Sequence, residues 1–104
     1  MKIEDHLRNI NESLEEIGNA VIKGIENKQR TIGFNCSVAG VEMLEVYLHK
    51  IEIINPGTII KHEWFNSIRR ANESLNFDFP NKDKIISLLI KIEEKRNILC
   101  YGKK

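Results

Sequence analysis

Ile3-Glu4-Asp5-His6-Leu7-Arg8-Asn9-Ile10-Asn11-Glu12-Ser13-Leu14-Glu15-Glu16-Ile17 carries the clearest periodic signal in the chain. With Val21 and Ile25, its apolar residues recur in steps of three and four. A half-buried strand would alternate every second residue, whereas this spacing draws one stripe along a helix. Glu4, Arg8, Glu12, Glu15, Asn19 and Lys23 fall on the other side. Gly18 and Gly24 weaken such a helix by up to ~1 kcal/mol each, so they mark either a close approach or a bend. Glu26 to Arg30 reads as the following turn.

Outward from that helix, the same period returns. Val38, Val41, Leu44, Leu48 and Ile51 define a second helix over Thr31 to Ile54, widened by Cys36, Ala39, Met43 and Tyr47. Its small residues, Cys36, Ser37, Ala39 and Gly40, allow another backbone to come near. Asn55-Pro56-Gly57 is the expected stop, since Pro breaks the hydrogen-bond ladder and Gly accepts turn geometry. Trp64, Phe65, Ile68, Ala71 and Leu75 predict a third helix over Ile60 to Leu75, leaving Ser67 off its apolar side. The aromatic run Asn76-Phe77-Asp78-Phe79-Pro80 should cap one end of the core. Asn81 is then placed to cap a last helix, with Asp83 near its positive end. There Ile85, Leu88, Leu89, Ile92 and Leu99 face inward, and Gly102 marks the end. The expected fold is all-α: an up-and-down four-helix bundle with room for an extra short helix.

At 104 residues there is room for a single domain, 1–104. No apolar run approaches the ~20 residues of a bilayer helix. The first residues turn acidic at once, without the apolar core of a secretory signal. A cytoplasmic location is therefore expected, with Cys36 and Cys100 as reduced thiols. The net charge of +1 argues against nonspecific binding of duplex DNA. It leaves room for a local site for RNA or a nucleotide.

The chemistry concentrates in Glu93-Glu94-Lys95-Arg96-Asn97-Ile98-Leu99-Cys100-Tyr101. Asn97 and Tyr101 are four apart and share a helix face, while Arg96 lies on the adjoining strip. A guanidinium suits bidentate phosphate binding, and a phenol can hydrogen-bond or stack on a base. The same residues also fit a plainer arrangement, in which Arg96 pairs with Glu93 or Glu94 and Tyr101 finishes the core. No His-x-x-x-His or Cys-x-x-Cys spacing exists, so no metal site or cofactor is expected. His6 falls on the polar side of the first helix, and neither His49 nor His62 has a partner legible from the sequence. Glu42 and Glu45 interrupt the apolar second helix, where they either meet solvent or orient Arg96. Arg69 and Arg70, with Lys61, form the best basic group outside the motif.

The Arg96-Asn97 pair, three residues, then a proton-exchanging side chain resembles the signature helix of HEPN domains, usually Arg-Asn-x-x-x-His. Ile60-Lys61-His62-Glu63-Trp64 is similar to the stretch that opens the third helix in that family, and the helical order matches along most of the chain. The resemblance implies a bundle that dimerises through its signature helices, so that two motifs line one cleft. It also implies RNA or nucleotide as ligand, bound by Arg96, Asn97 and Tyr101, and a minimal nucleotidyltransferase antitoxin as partner. Many members are metal-independent endoribonuclease toxins, and others are noncatalytic binding proteins. Here Tyr101 replaces the histidine, and Lys103 stands where the family often has a further tyrosine.

That replacement bears on catalysis. Tyr has an ordinary pKa of ~10 against ~6.5 for His, which costs roughly 4–5 kcal/mol in access to the basic form. Arg96 and Tyr101 are accordingly the catalytic candidates of an impaired enzyme, or His62 takes over as base. Three readings remain open at this point. They are a degenerate, binding-only member, an active ribonuclease, and a noncatalytic oligomerisation module.

Overall fold

A computed structural model describes residues 2–55 and 57–102, and the regular structure among them is helical throughout, without a strand. Four α-helices, α1 (Ile3–Lys23), α2 (Gln29–Lys50), α3 (Ile68–Ser74) and α4 (Lys82–Tyr101), are joined by short 3₁₀ segments at Ile25–Asn27 and His62–Asn66. Among the described residues no helix is long and apolar enough to cross a membrane.

The three long helices lie side by side with α2 in the middle. α1 packs on α2 but makes no contact with α4, which flanks α2 on its other side. The molecule is accordingly flat, 39 × 31 × 20 Å. Its shortest extent is about two helix diameters.

This arrangement explains why the apolar stripe of α1 is only partly covered. A single neighbour shields a narrow line, here His6, Ile10, Ser13 and Ala20, and leaves Leu7, Leu14 and Val21 exposed. α1 stops at Gly24, whose φ of 114° is unsuited to a side chain-bearing residue. Gly24 therefore ends the helix and does not bend it. Gly18 meets nothing within 4 Å, so no close approach requires it.

On the other side, α2 and α4 run antiparallel and very close. A Cβ at Gly33 would stand 3.0 Å from Leu99 Cβ, and one at Gly40 would stand 3.0 Å from Leu89 Cδ2. The expectation for Gly40 holds, and Gly33 serves the same purpose one contact further along.

The main core gathers at one end, where Leu44, Leu48, Ile60, Phe65, Ala71, Leu75, Phe79, Ile86 and Leu89 pack together. The aromatic loop closes it as expected. Phe79 meets Tyr47 edge-on at 6.3 Å, and the Tyr47 hydroxyl donates to Pro80 O at 3.3 Å.

Two boundaries and one helix cap differ from the sequence expectations. α2 stops at Lys50, before Asn55-Pro56-Gly57; Pro56 itself lies outside the described residues. The stop is a Schellman arrangement: Glu52 N–H donates to His49 O and Ile53 N–H to Leu48 O, with Glu52 left-handed at φ 58°. Glutamate rather than glycine fills the left-handed position, so the signal was absent from the sequence. Glu52→Gly is expected to raise stability by about 0.5–1 kcal/mol, read as a higher urea midpoint at unchanged m-value.

The third helix is broken at Ser67, which is extended at φ −151°, ψ 156° and accepts a hydrogen bond from Arg70 N–H at 3.1 Å. A serine oxygen satisfying a free helical N–H is a standard reason to start a helix anew. Ile68, expected inside, is exposed as a result. Asn81, expected to cap α4 through its side chain, instead takes a left-handed backbone at φ 63° without a side-chain cap bond. Asp83 does sit in the first turn, and Gly102 ends the helix left-handed at φ 67°. Within α4 the inward line is Ile86, Leu89, Glu93 and Arg96, while Leu88 points outward.

Candidate functional site

Two polar groups are buried where α2 and α4 would ordinarily place aliphatic side chains. The first is Arg96, only 8% exposed. Its side chain reaches from α4 across to α2, where Nη1 donates to Ser37 Oγ at 3.2 Å. Its Cζ lies 5.1 Å from the centre of the Phe34 ring. Its Nε is buried without a hydrogen-bond partner. No described carboxylate pairs with it; Glu93, three residues earlier on the same helix, is held by His62. The plainer arrangement, with Arg96 paired to Glu93 or Glu94, is therefore not the one adopted.

Arg96 forms part of the wall of a cleft of about 650 Å³, together with Ser37 and Glu45 of α2 and the connection carrying Lys61, His62 and Glu63. His62 sits between two carboxylates: Nδ1 is 3.0 Å from both Glu93 oxygens, and Nε2 is 3.2 Å from Glu63 Oε2. Glu93 is itself buried, so it fixes the imidazole orientation from below. Arg69 and Arg70 lie elsewhere on α3, exposed, with Arg69 paired to Glu73 at 2.9 Å.

The other two motif residues are placed differently. Tyr101 is 61% exposed and does not finish the core. It lines a second hollow of about 640 Å³ near the start of α2, with Lys28, Arg30 and Phe34. Asn97 is half-buried and borders neither hollow. Within one chain, then, Arg96 and Tyr101 are not gathered around the same space. Phe34 connects them: its ring borders the Tyr101 hollow and lies against the Arg96 guanidinium. Lys103 is outside the described residues.

The second buried group joins α1 to α2. His6, expected on the polar side of its helix, is 1% exposed. Its Nδ1 contacts Glu42 Oε2, and its Nε2 is 2.9 Å from Glu45 Oε2. Asn9 Nδ2 also donates to Glu42 Oε1 at 3.3 Å. Glu45, which the sequence left between solvent and Arg96, is buried and pairs with His6, not with Arg96. Its other oxygen accepts Ile60 N–H at 2.7 Å. His49 stacks on His6 with ring centroids 5.7 Å apart. The sequence did contain a trace of this group, because Glu45 and His49 share a helix face at i, i+4. The contribution of His6 from another helix was not legible.

Cys36 and Cys100 are free thiols, both half-buried. Burial pushes the Cys36 thiol above its ordinary value, which disfavours the nucleophilic thiolate. Comparison with protein-family models, with curated proteins and with solved structures finds no match to this chain.

Proposed function

We propose that the protein binds RNA or a nucleotide with a phosphate seated on Arg96. The observation that carries this reading is a buried guanidinium without a carboxylate partner at the wall of a cleft. A guanidinium keeps its charge at any physiological pH, and an unpaired buried charge costs several kcal/mol. One neutral hydroxyl and one aromatic face recover only part of that cost. An anionic ligand with paired oxygens completes the site.

RNA suits the surroundings better than a lone phosphate does. The exposed rings of Phe34 and Tyr101 offer stacking surfaces, and Lys28 and Arg30 lie beside them. The HEPN resemblance points the same way. On that reading the active form is a homodimer in which a second α4 brings Asn97 and Tyr101 toward the bound strand. A minimal nucleotidyltransferase is then the natural protein partner.

One observation favours a catalytic variant of the same proposal: His62 borders the same cleft as Arg96, and Glu93 braces it. With Nδ1 held by Glu93 and the half-buried Glu63 carboxylate moved off Nε2, His62 Nε2 would take the proton from a ribose 2′-hydroxyl as that oxygen attacks phosphorus. The bond to the 5′-oxygen breaks, solvent protonates the leaving oxygen, and a 2′,3′-cyclic phosphate results. Arg96 would stabilise the charge on the phosphoryl oxygens. This assigns the base to His62 in place of Tyr101.

Fluorescence anisotropy with a short labelled RNA tests the binding reading. Arg96→Ala is expected to weaken binding at least tenfold; unchanged affinity removes the site. Cleavage of the same RNA with EDTA present, compared with His62→Ala, tests the catalytic variant. Wild-type protein that cleaves no faster than background leaves binding alone. A chain that binds no RNA yet still dimerises would instead be an oligomerisation module.

A further inference from the structure

The His6 cluster is incomplete as a purely organic assembly. His6 Nδ1 faces Glu42, so a neutral ring carries its proton there and turns a lone pair from Nε2 toward Glu45 Oε2, 2.9 Å away. Two lone pairs at that separation repel. Protonating Nε2 would turn the contact into an ion pair, though one without an aligned hydrogen bond. His49 Nε2 is a second buried nitrogen without a partner. Even a fully charged His6 would leave two glutamates against one imidazolium, a net negative charge at a buried position. Two imidazole nitrogens without hydrogen-bond partners and one carboxylate oxygen thus lie close together where two glutamates outnumber any imidazolium.

We propose that His6, Glu45 and His49 bind a divalent first-row transition cation of the zinc type. The three ligand atoms all lie within 4.8 Å of one another. A cation with bonds of about 2.1 Å spaces its ligands about 3.0–3.4 Å apart, and the His6–Glu45 pair at 2.9 Å is near that spacing already. His49, the least buried of the three, has its ligand atom within 4.8 Å of the other two and would close the set by moving inward. Charge also balances, since a divalent cation neutralises Glu42 and Glu45 with both imidazoles neutral. The supporting contacts are those such a centre requires. Glu42 accepts the other ring N–H of His6, and Ile60 N–H holds the second oxygen of Glu45. Two imidazoles and one carboxylate select a transition ion over calcium or magnesium.

The consequence is structural as well as chemical. Of the other α-helices, α1 packs on α2 alone, and the proposed cation would tie His6 of α1 to Glu45 and His49 of α2. Glu42 and Glu45 also border the Arg96 cleft, so the centre lies directly behind one cleft wall. This inference stands independently of RNA binding.

The test uses full-length protein stripped with EDTA, dialysed, and titrated with zinc. One ion per chain is expected, with the melting temperature rising by about 10 °C at a hundredfold excess over the dissociation constant. Cobalt in place of zinc should give visible absorption bands that change in His49→Gln. That variant and Glu45→Gln should lose affinity at least a hundredfold. Glu42→Gln should lose about tenfold to a hundredfold, and His62→Gln should keep full affinity. If His6→Gln does not fold, His49→Gln still decides, because the His6–Glu42 contact remains intact in it. Failure of the wild type to bind zinc stoichiometrically overturns the proposal. So does full-affinity binding by His49→Gln, or abolition of binding by His62→Gln.

Discussion

Phe65→Ala is expected to lower the free energy of unfolding by about 3–5 kcal/mol, the largest stability effect of any single substitution considered. Phe65 is 1% exposed and packs among side chains from α2, α3 and α4. Its own backbone, at φ −94° and ψ 16°, departs from helical geometry within the 3₁₀ segment. The ring therefore anchors an irregular connection to the regular helices. Little else can move in to fill the space, because the flanking Ile60 and Leu75 are already fully packed. A domain of this size has about 5–15 kcal/mol of total stability, so the variant would lose a large share of it. Urea denaturation should show a reduced midpoint, and thermal melting a fall of roughly 12–25 °C. A loss below 1 kcal/mol would mean that the 60–79 segment is not the keystone of this core.

Arg96→Met is expected to separate stability from binding. Methionine preserves much of the side-chain volume against Phe34 while removing the charge. The variant gives up a hydrogen bond to Ser37 and a cation–π contact, together worth about 1–3 kcal/mol. It also removes a buried charge that lacks a carboxylate partner, and replacing such groups by apolar ones is often neutral or stabilising by 1–4 kcal/mol. Stability should accordingly change by less than about 1 kcal/mol or rise. RNA affinity should fall roughly tenfold to a hundredfold, equivalent to losing about 1.5–3 kcal/mol of charge-assisted hydrogen bonding. The pairing of these outcomes is the diagnostic. A large stability loss with unchanged affinity would make Arg96 a structural residue. A residue that binds a phosphate at the expense of stability shows the opposite pattern.

The placement of apolar residues shows how far sequence reading reaches here. Periodicity correctly predicts helices at both ends of the chain, the aromatic closure by Phe79, and the left-handed stop at Gly102. It misplaces Leu7, Leu14, Ile68 and Leu88, which are exposed. Periodicity reports which residues share a helix face; the number of neighbours decides how much of that face is covered. α1 packs on one other α-helix, so much of its stripe stays outside. Broken helices were harder still. Ser67 capping α3 and Glu52 in the left-handed turn are choices between local alternatives that only surrounding contacts settle.

The candidate sites divide in the same way. Arg96 stands out as a candidate in the sequence because its neighbours on one helix resemble a known pattern, and local spacing survives in the linear chain. Its missing counterion does not, since the carboxylate on its own helix is diverted to His62 from a distant connection. His6, Glu45 and His49 are more distant again, with their convergence set by the antiparallel packing of α1 on α2. Helix type follows from the order of residues, because backbone hydrogen bonds and side-chain period act over three or four positions. Which buried charges meet, and which are left without a partner, depends on contacts between residues tens of positions apart. Those contacts exist only once the helices have packed.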